Sequence, residues 1–327
     1  MTAATGVETG PRALSCYTAN LAAYLERRDP GALDTIARTV HLAVRTGLPD
    51  DDLAVSHHAE PLHRLPRDGE LRHACTRSPM VLLRELREEL ARHGQVVVFA
   101  SSAALPWSIA TSERSAPHLL LVDGNDGERW HVVDEFSAQL PDGRQEPFEG
   151  WIDDDALIAV TEPNPTPPRE HELRDDHVFG VPVPRPPSGT YHWLSLGVQG
   201  LPGPGLPEGW RVGAEASLTA LRDFWSGVAE HPDRARFLDD MWAASQHHTF
   251  RYAQLLHVER PCAADADLFR AAASAWTDLP MALHFAVRSA ARGRARPAVV
   301  TATFDHLLRA ELAAQRVLGA YGYRSAP

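Results

Sequence analysis

Residues 118–134, HLLLVDGNDGERWHVVD, read as two short strands joined by a tight turn over residues 124–128. Alternation along His118, Leu120 and Val122 gives the first strand one face, and Trp130, Val132 and Asp134 give the second a matching one. Closing the hairpin symmetrically about Asp126 sets Val122 opposite Trp130 and His118 opposite Asp134. Facing residues on an antiparallel pair have Cβ atoms roughly 4.5–5.5 Å apart, within reach of a carboxylate–imidazole hydrogen bond. Such a carboxylate fixes the tautomer and orientation of a catalytic base. Two competitors fall by parity: Asp123 and His131 belong to the opposite face, and a one-residue slip in register would exchange the sets.

A base held by an acid needs a nucleophile, and residues 14–21, LSCYTANL, offer Cys16. Leu21 and Leu25 predict a helix running to about Arg28 with Ser15 as N-cap, so Cys16 opens it. Unpaired N–H groups and the positive end of the helix dipole favour an anionic sulfur there. Taken alone, a single cysteine is more often a small buried packing residue. The downstream His118 and Asp134 turn that reading toward chemistry.

The 327 residues carry a formal charge of −11, which argues against nucleic acid or an anionic membrane surface as the main partner. Cys16, Cys75 and Cys262 are odd in number and far apart, which fits a reducing cytoplasm better than a disulfide framework. Neither a signal peptide nor a run of eighteen apolar residues is visible.

Elsewhere, Leu33, Ile36, Val40, Leu42 and Val44 suggest a second helix ending near Gly47. Residues 48–79 carry His57, His58, His63 and His73 among prolines and charges; their spacing matches no metal-ligand pattern, and they read as solvated. Residues 80–93 form an amphipathic helix closed by Gly94, residues 95–99, QVVVF, a buried strand, and residues 157–161 a further strand. The prolines of residues 162–189 predict an extended connector with no packed element, docked by Val178 and Phe179. From Ala214 the pattern turns helical, through Leu218, Leu221, Phe224, Phe237, Met241, Phe304 and Leu307. The fold class expected is α+β: helices on a small antiparallel sheet over residues 1–162, a Pro/Gly-rich connector with a short strand over 163–213, and a mainly α-helical domain over 214–327 that covers the cleft.

The segments VVVFASSAALPW and HLLLVDGNDGERWHVVDEF, followed by a helical tail opening near Leu218, resemble proteins related to butirosin biosynthesis protein H. That resemblance implies a papain-like N-terminal domain with a C-terminal helical domain. It implies Cys16 as nucleophile, His118 as base and Asp134 as orienting acid of an acyltransferase in antibiotic biosynthesis. The acyl group would come from the phosphopantetheine arm of an acyl or peptidyl carrier protein and pass to a small-molecule amine or an internal nucleophile. No bound cofactor or metal is implied. Residues 1–15 contain neither Gln nor Asn, so the oxyanion donor is unassigned, the Cys16 backbone N–H being one candidate and Asn20, one turn along, a second. Carrier proteins are usually acidic, and Arg288, Arg292, Arg294 and Arg296 form a candidate dock; the same arginines would also complement the end of a helix starting near Pro280. A cysteine peptidase, amidase or thioesterase would use the same triad, and a silent binding protein would use it only for packing.

Overall fold

A computed structural model describes residues 9–110, 115–140, 143–201 and 205–323. The chain opens with α1 (Cys16–Arg28) and α2 (Ala32–Thr39), then β1 (Val40–Arg45), β2 (Ala54–His58), β3 (Glu70–Thr76), α3 (Pro79–His93) and β4 (Val96–Ser101). The hairpin β5 (Pro117–Asn125) and β6 (Arg129–Asp134) follows, then β7 (Ala138–Leu140), β8 (Gly143–Gln145), β9 (Phe148–Asp153), α4 (Asp154–Val160) and α5 (Arg169–His177). The remainder is β10 (Tyr191–Gly197), β11 (Arg211–Val212), α6 (Ala214–Ser226), α7 (Leu238–Val258), α8 (Ala263–Ala290) and α9 (Pro297–Leu318). The class is α+β with antiparallel sheets.

Six strands form the main sheet in the order β3-β10-β4-β5-β6-β9, each antiparallel to its neighbour. The period of two in the sequence sorts its side chains into two cores. Val96, Val98, Leu120, Val122, Trp130 and Val132 pack with Leu82, Leu83 and Leu86 of α3 and Leu157 of α4. Val97, Phe99, Leu119, Leu121 and Val133 pack with Leu21 and Leu25 of α1. This second core continues without a break through Ile36, Phe250, Trp276 and Phe304. The division expected near residue 213 therefore separates no cores: α6–α9 share the buried interior of α1, α2 and β1.

Several local expectations are corrected. Val40, Leu42 and Val44 recur every second residue, and they form β1 after α2 stops at Thr39. Residues 157–161 belong to a helix, because the Asp153 carboxylate accepts from the Ala156 N–H at 2.8 Å and caps α4 ahead of the apolar run. Within the proline-rich segment the nine residues of α5 start directly after Pro168, where a missing N–H costs a helix nothing. The histidines expected in a solvated loop sit instead on or beside β2 and β3, with His58 and His63 buried. β10, from the expected connector, lies between β3 and β4 in the main sheet. Pro280 does not begin a helix; α8 runs through it, held by Trp276, Leu279 and Leu283 buried on either side. Residues 202–204 of the second Pro/Gly segment lie outside the described residues. Among the described residues no helix is long and apolar enough to cross a membrane.

Candidate functional site

The decisive hairpin forms with a shifted register. Leu121 pairs with Val133 and Val122 with Val132, so Val122 does not face Trp130, and extending this ladder puts His118 and Asp134 diagonal to each other rather than opposed. Two displacements combine to give it: the turn closes three residues off the symmetric sum, with Asn125 facing Trp130, and a bulge at Asp123, one extra residue between the Val122–Val132 and Gly124–His131 pairs, takes one of them back. The slip is by an even number of residues, so parity survives and both side chains stay on one face. Diagonal neighbours lie roughly 7–8 Å apart at their backbones, a gap that an imidazole spans. The rejected competitors pair with each other at the far end of the hairpin, His131 Nδ1 lying 2.6 Å from an Asp123 oxygen.

His118 Nε2 is 3.0 Å from Asp134 Oδ1, with both residues buried. The Asp134 carboxylate is saturated with donors. Oδ1 also accepts from the Asn20 amide at 2.9 Å and from the Phe136 N–H at 3.0 Å, and Oδ2 accepts from the Trp107 indole at 2.9 Å. Burial works against the charge on Asp134, but the His118 charge and these hydrogen bonds outweigh it and hold the carboxyl below its ordinary range. For His118 burial likewise opposes protonation, yet the Asp134 charge and hydrogen bond, with Cys16 as a further hydrogen-bond partner, push the ring up to about 10. The ring thus stands between carboxylate and sulfur as a cation at neutral pH.

Cys16 is the first residue of α1 and is half-buried, its thiol 3.9 Å from the Pro117 carbonyl that it faces as donor. Ser15 is the N-cap residue, but its hydroxyl pairs with Thr18 Oγ1 at 3.2 Å rather than capping the helix. First-turn N–H groups have no intrahelical acceptor, which leaves the Cys16 N–H available to an anion. Asn20 is not such a donor. Its amide nitrogen is used by the Leu119 carbonyl at 2.6 Å and by Asp134, and its oxygen accepts from the Glu135 N–H at 2.8 Å. Fully buried between α1 and the hairpin, it fixes the acid instead of facing the thiol.

Two residues that sequence reasoning gave no role stand at this centre. Trp107 donates to Asp134 while stacking on Phe148 with centroids 3.9 Å apart; a half-buried indole needs an acceptor, the one signal that could have pointed to it. Phe136 meets the His118 ring edge-on at 5.5 Å and Trp242 of α7 at 5.9 Å, linking the helical region to the His118–Asp134 pair. A second link joins Thr18 to His247 of α7 at 2.8 Å. His247 Nδ1 donates to the Ala243 carbonyl at 2.6 Å, so its Nε2 accepts the Thr18 hydroxyl and the ring is neutral.

Two clefts lie near the site, though neither is lined by Cys16, His118 or Asp134. One of about 120 Å³ is lined by Phe99, Ala100, Pro117, Asp175 and the proline segment, and one of about 450 Å³ by Ala13, Ala138, Gln139, Trp242 and Gln246. A larger one, about 490 Å³, lies at the opposite end of α1 beside Arg27 and Arg28, roughly 18 Å from Cys16 at 1.5 Å per residue. Arg288 is exposed in the last turn of α8, and Arg292, Arg294 and Arg296 are exposed in the connection to α9. None of these four lines either of the two smaller clefts. Among the described residues no three His, Cys, Asp or Glu side chains group as a metal site. No protein-family model matches the chain, and no curated protein matches it significantly.

Proposed function

We propose that the protein is a cysteine-dependent acyltransferase that carries an acyl group from a carrier-protein thioester, through acyl-Cys16, to an amine or an internal nucleophile. The observation behind this reading is the Cys16–His118–Asp134 line, with the acid held by four donors and the base held charged against the sulfur. A carboxylate that serves packing alone gains nothing from orienting a histidine toward a half-exposed thiol. The papain-like arrangement, the kinship with the butirosin biosynthesis protein H group, the antibiotic-assembly setting and a cytoplasmic location belong to the same proposal.

The chemistry runs in two halves. Reacting as the thiolate paired with the His118 imidazolium, the Cys16 sulfur attacks the thioester carbonyl, the bond to the pantetheine sulfur breaks, and His118 gives that departing sulfur its proton. Neutral His118 then takes a proton from the incoming nucleophile, the C–S bond breaks, and the electron pair returns to Cys16. Exchange of one thiolate for another is nearly balanced, and capture by an amine is downhill. The Cys16 N–H stabilises the oxyanion of each tetrahedral intermediate. Phe136, backed by Trp242 of α7, covers one edge of the His118 ring, which limits the approach of water to acyl-Cys16 from there. The carrier is acidic in this reading and meets a basic surface, with Arg288, Arg292, Arg294 and Arg296 as its dock.

An acyl N-acetylcysteamine thioester tests it. Intact mass should show one acyl group added to the wild type and none to Cys16→Ala. Equal acylation of the two would end the reading.

A further inference from the structure

The smaller cleft holds an ionisable pair that the two half-reactions leave unused. Tyr17, the residue after Cys16, is buried with its hydroxyl donating to Asp175 Oδ1. Asp175 stands on α5 and lines the cleft together with Pro117, whose carbonyl faces the Cys16 thiol. Neither Cys16 nor His118 lines this cleft; it adjoins the sulfur through Pro117, and an acceptor bound at Asp175 would approach acyl-Cys16 along that wall. One hydroxyl uses a single acceptor position of a carboxylate that has about four.

Resting on the acyltransferase reading, we propose that Asp175 takes the proton from an acceptor ammonium in this cleft and so delivers the neutral amine that attacks acyl-Cys16. An amine arrives protonated at neutral pH and has no lone pair to offer. Its first proton passes to Asp175, and the freed nitrogen pair forms the C–N bond. Its second proton passes to His118, the C–S bond breaks, and the pair returns to the Cys16 sulfur. Amide, the thiolate–imidazolium pair and protonated Asp175 result, and Asp175 returns its proton to solvent. Burial raises Asp175 to about 6 against the Tyr17 hydrogen bond and the charges of Arg174 and Arg185, with Asp176 adding to the rise; His171, one turn earlier on α5, and Glu162 also line the cleft. A carboxyl in that range accepts and releases a proton near neutrality. Water needs no such first step, so this residue biases the fate of acyl-Cys16 toward amide.

The test uses an acyl N-acetylcysteamine thioester as donor with two competing acceptors: ethanolamine, an ammonium at pH 7, and acetohydrazide, which is uncharged. Asp175→Asn should lower the ratio of ethanolamide to hydrazide product by about 100-fold, and Tyr17→Phe should lower it less. An adduct on Cys16 with an unchanged ratio overturns this proposal alone; no adduct overturns the acyltransferase reading and this proposal with it. Should Asp175→Asn fail to fold, the wild type decides. Ethanolamide formation should then show an acidic limb near pH 6 that hydrazide formation lacks, and superimposable limbs overturn the assignment.

Discussion

Asp134 Oδ1 and His118 Nε2 lie 3.0 Å apart although the strand register makes the two residues diagonal neighbours rather than partners. The imidazole reaches across one pleat, and the carboxylate is fixed from behind by Asn20 and Trp107. The pair is therefore held by groups outside the hairpin as much as by the hairpin.

Asp134→Asn should slow acylation of Cys16 by roughly 10²–10⁴-fold, since an amide cannot hold the protonated ring in place. The buried amide would also meet the donors of Asn20, Trp107 and Phe136 with one acceptor oxygen instead of two. Stopped-flow acylation with the thioester measures the first effect. A rate within threefold of wild type would remove Asp134 from the machinery.

Trp107→Phe keeps the stack on Phe148 but deletes the indole donor to Asp134 Oδ2. Leaving a buried carboxylate oxygen short of a donor should cost about 1–3 kcal/mol of stability. Urea unfolding should show a lower midpoint, with an acylation defect smaller than that of Asp134→Asn. Unchanged stability would mean that the indole bond is dispensable.

Cys75 and Cys262 are exposed while Cys16 is half-buried, so access alone would make Cys16 the slowest thiol to alkylate. The His118 cation reverses that order. Brief iodoacetamide treatment at pH 7 followed by peptide mass spectrometry should find Cys16 labelled first, and His118→Ala should abolish its lead. His118 is raised to about 10, so its charge persists below that value, and the lead should shrink as pH climbs through it. Preferential labelling of Cys262 at pH 7 would contradict this.

Acid should destabilise the fold through a different set of histidines. Burial lowers His41 and His247 to about 4 and holds His57, His58 and His248 well below the ordinary value, with His57 stacked on His247 at 4.7 Å. A depressed histidine binds fewer protons folded than unfolded, so its contribution is present above pH ~6.5 and is lost as pH falls toward the folded value. For His41 and His247, lowered to about 4, that is on the order of a few kcal/mol each across the window. His118 behaves oppositely: its contribution is present below its unfolded pKa and disappears only as pH rises through about 10. Melting temperature should drop between pH 7 and 5, and His57→Phe, which keeps the stack and removes one titrating ring, should flatten the drop. An equally steep drop in the variant would exclude His57 as a source.

The sequence by itself determined the elements with strong local signals. The helix opening at Cys16, the α3 helix between Ser78 and Gly94, the QVVVF strand and the shared face of His118 and Asp134 all follow from short-range periodicity and end signals. Parity proved sturdier than register, because an even slip moves a residue along the strand and leaves it on the same face. Tertiary structure decided the rest. The turn position together with the Asp123 bulge set the true pairing, β10 entered the main sheet from a proline-rich stretch, and Pro280 was carried inside α8 by apolar packing on both sides. Asn20 sits one turn from Cys16, which in sequence suits an oxyanion donor; only the approach of Leu119, Asp134 and Glu135 shows that its amide holds the acid. Tyr17 and Asp175 are 158 residues apart and carry no periodic signal. A buried polar group takes its partner from whatever the folded chain brings within hydrogen-bond reach, and local pattern does not encode that distance.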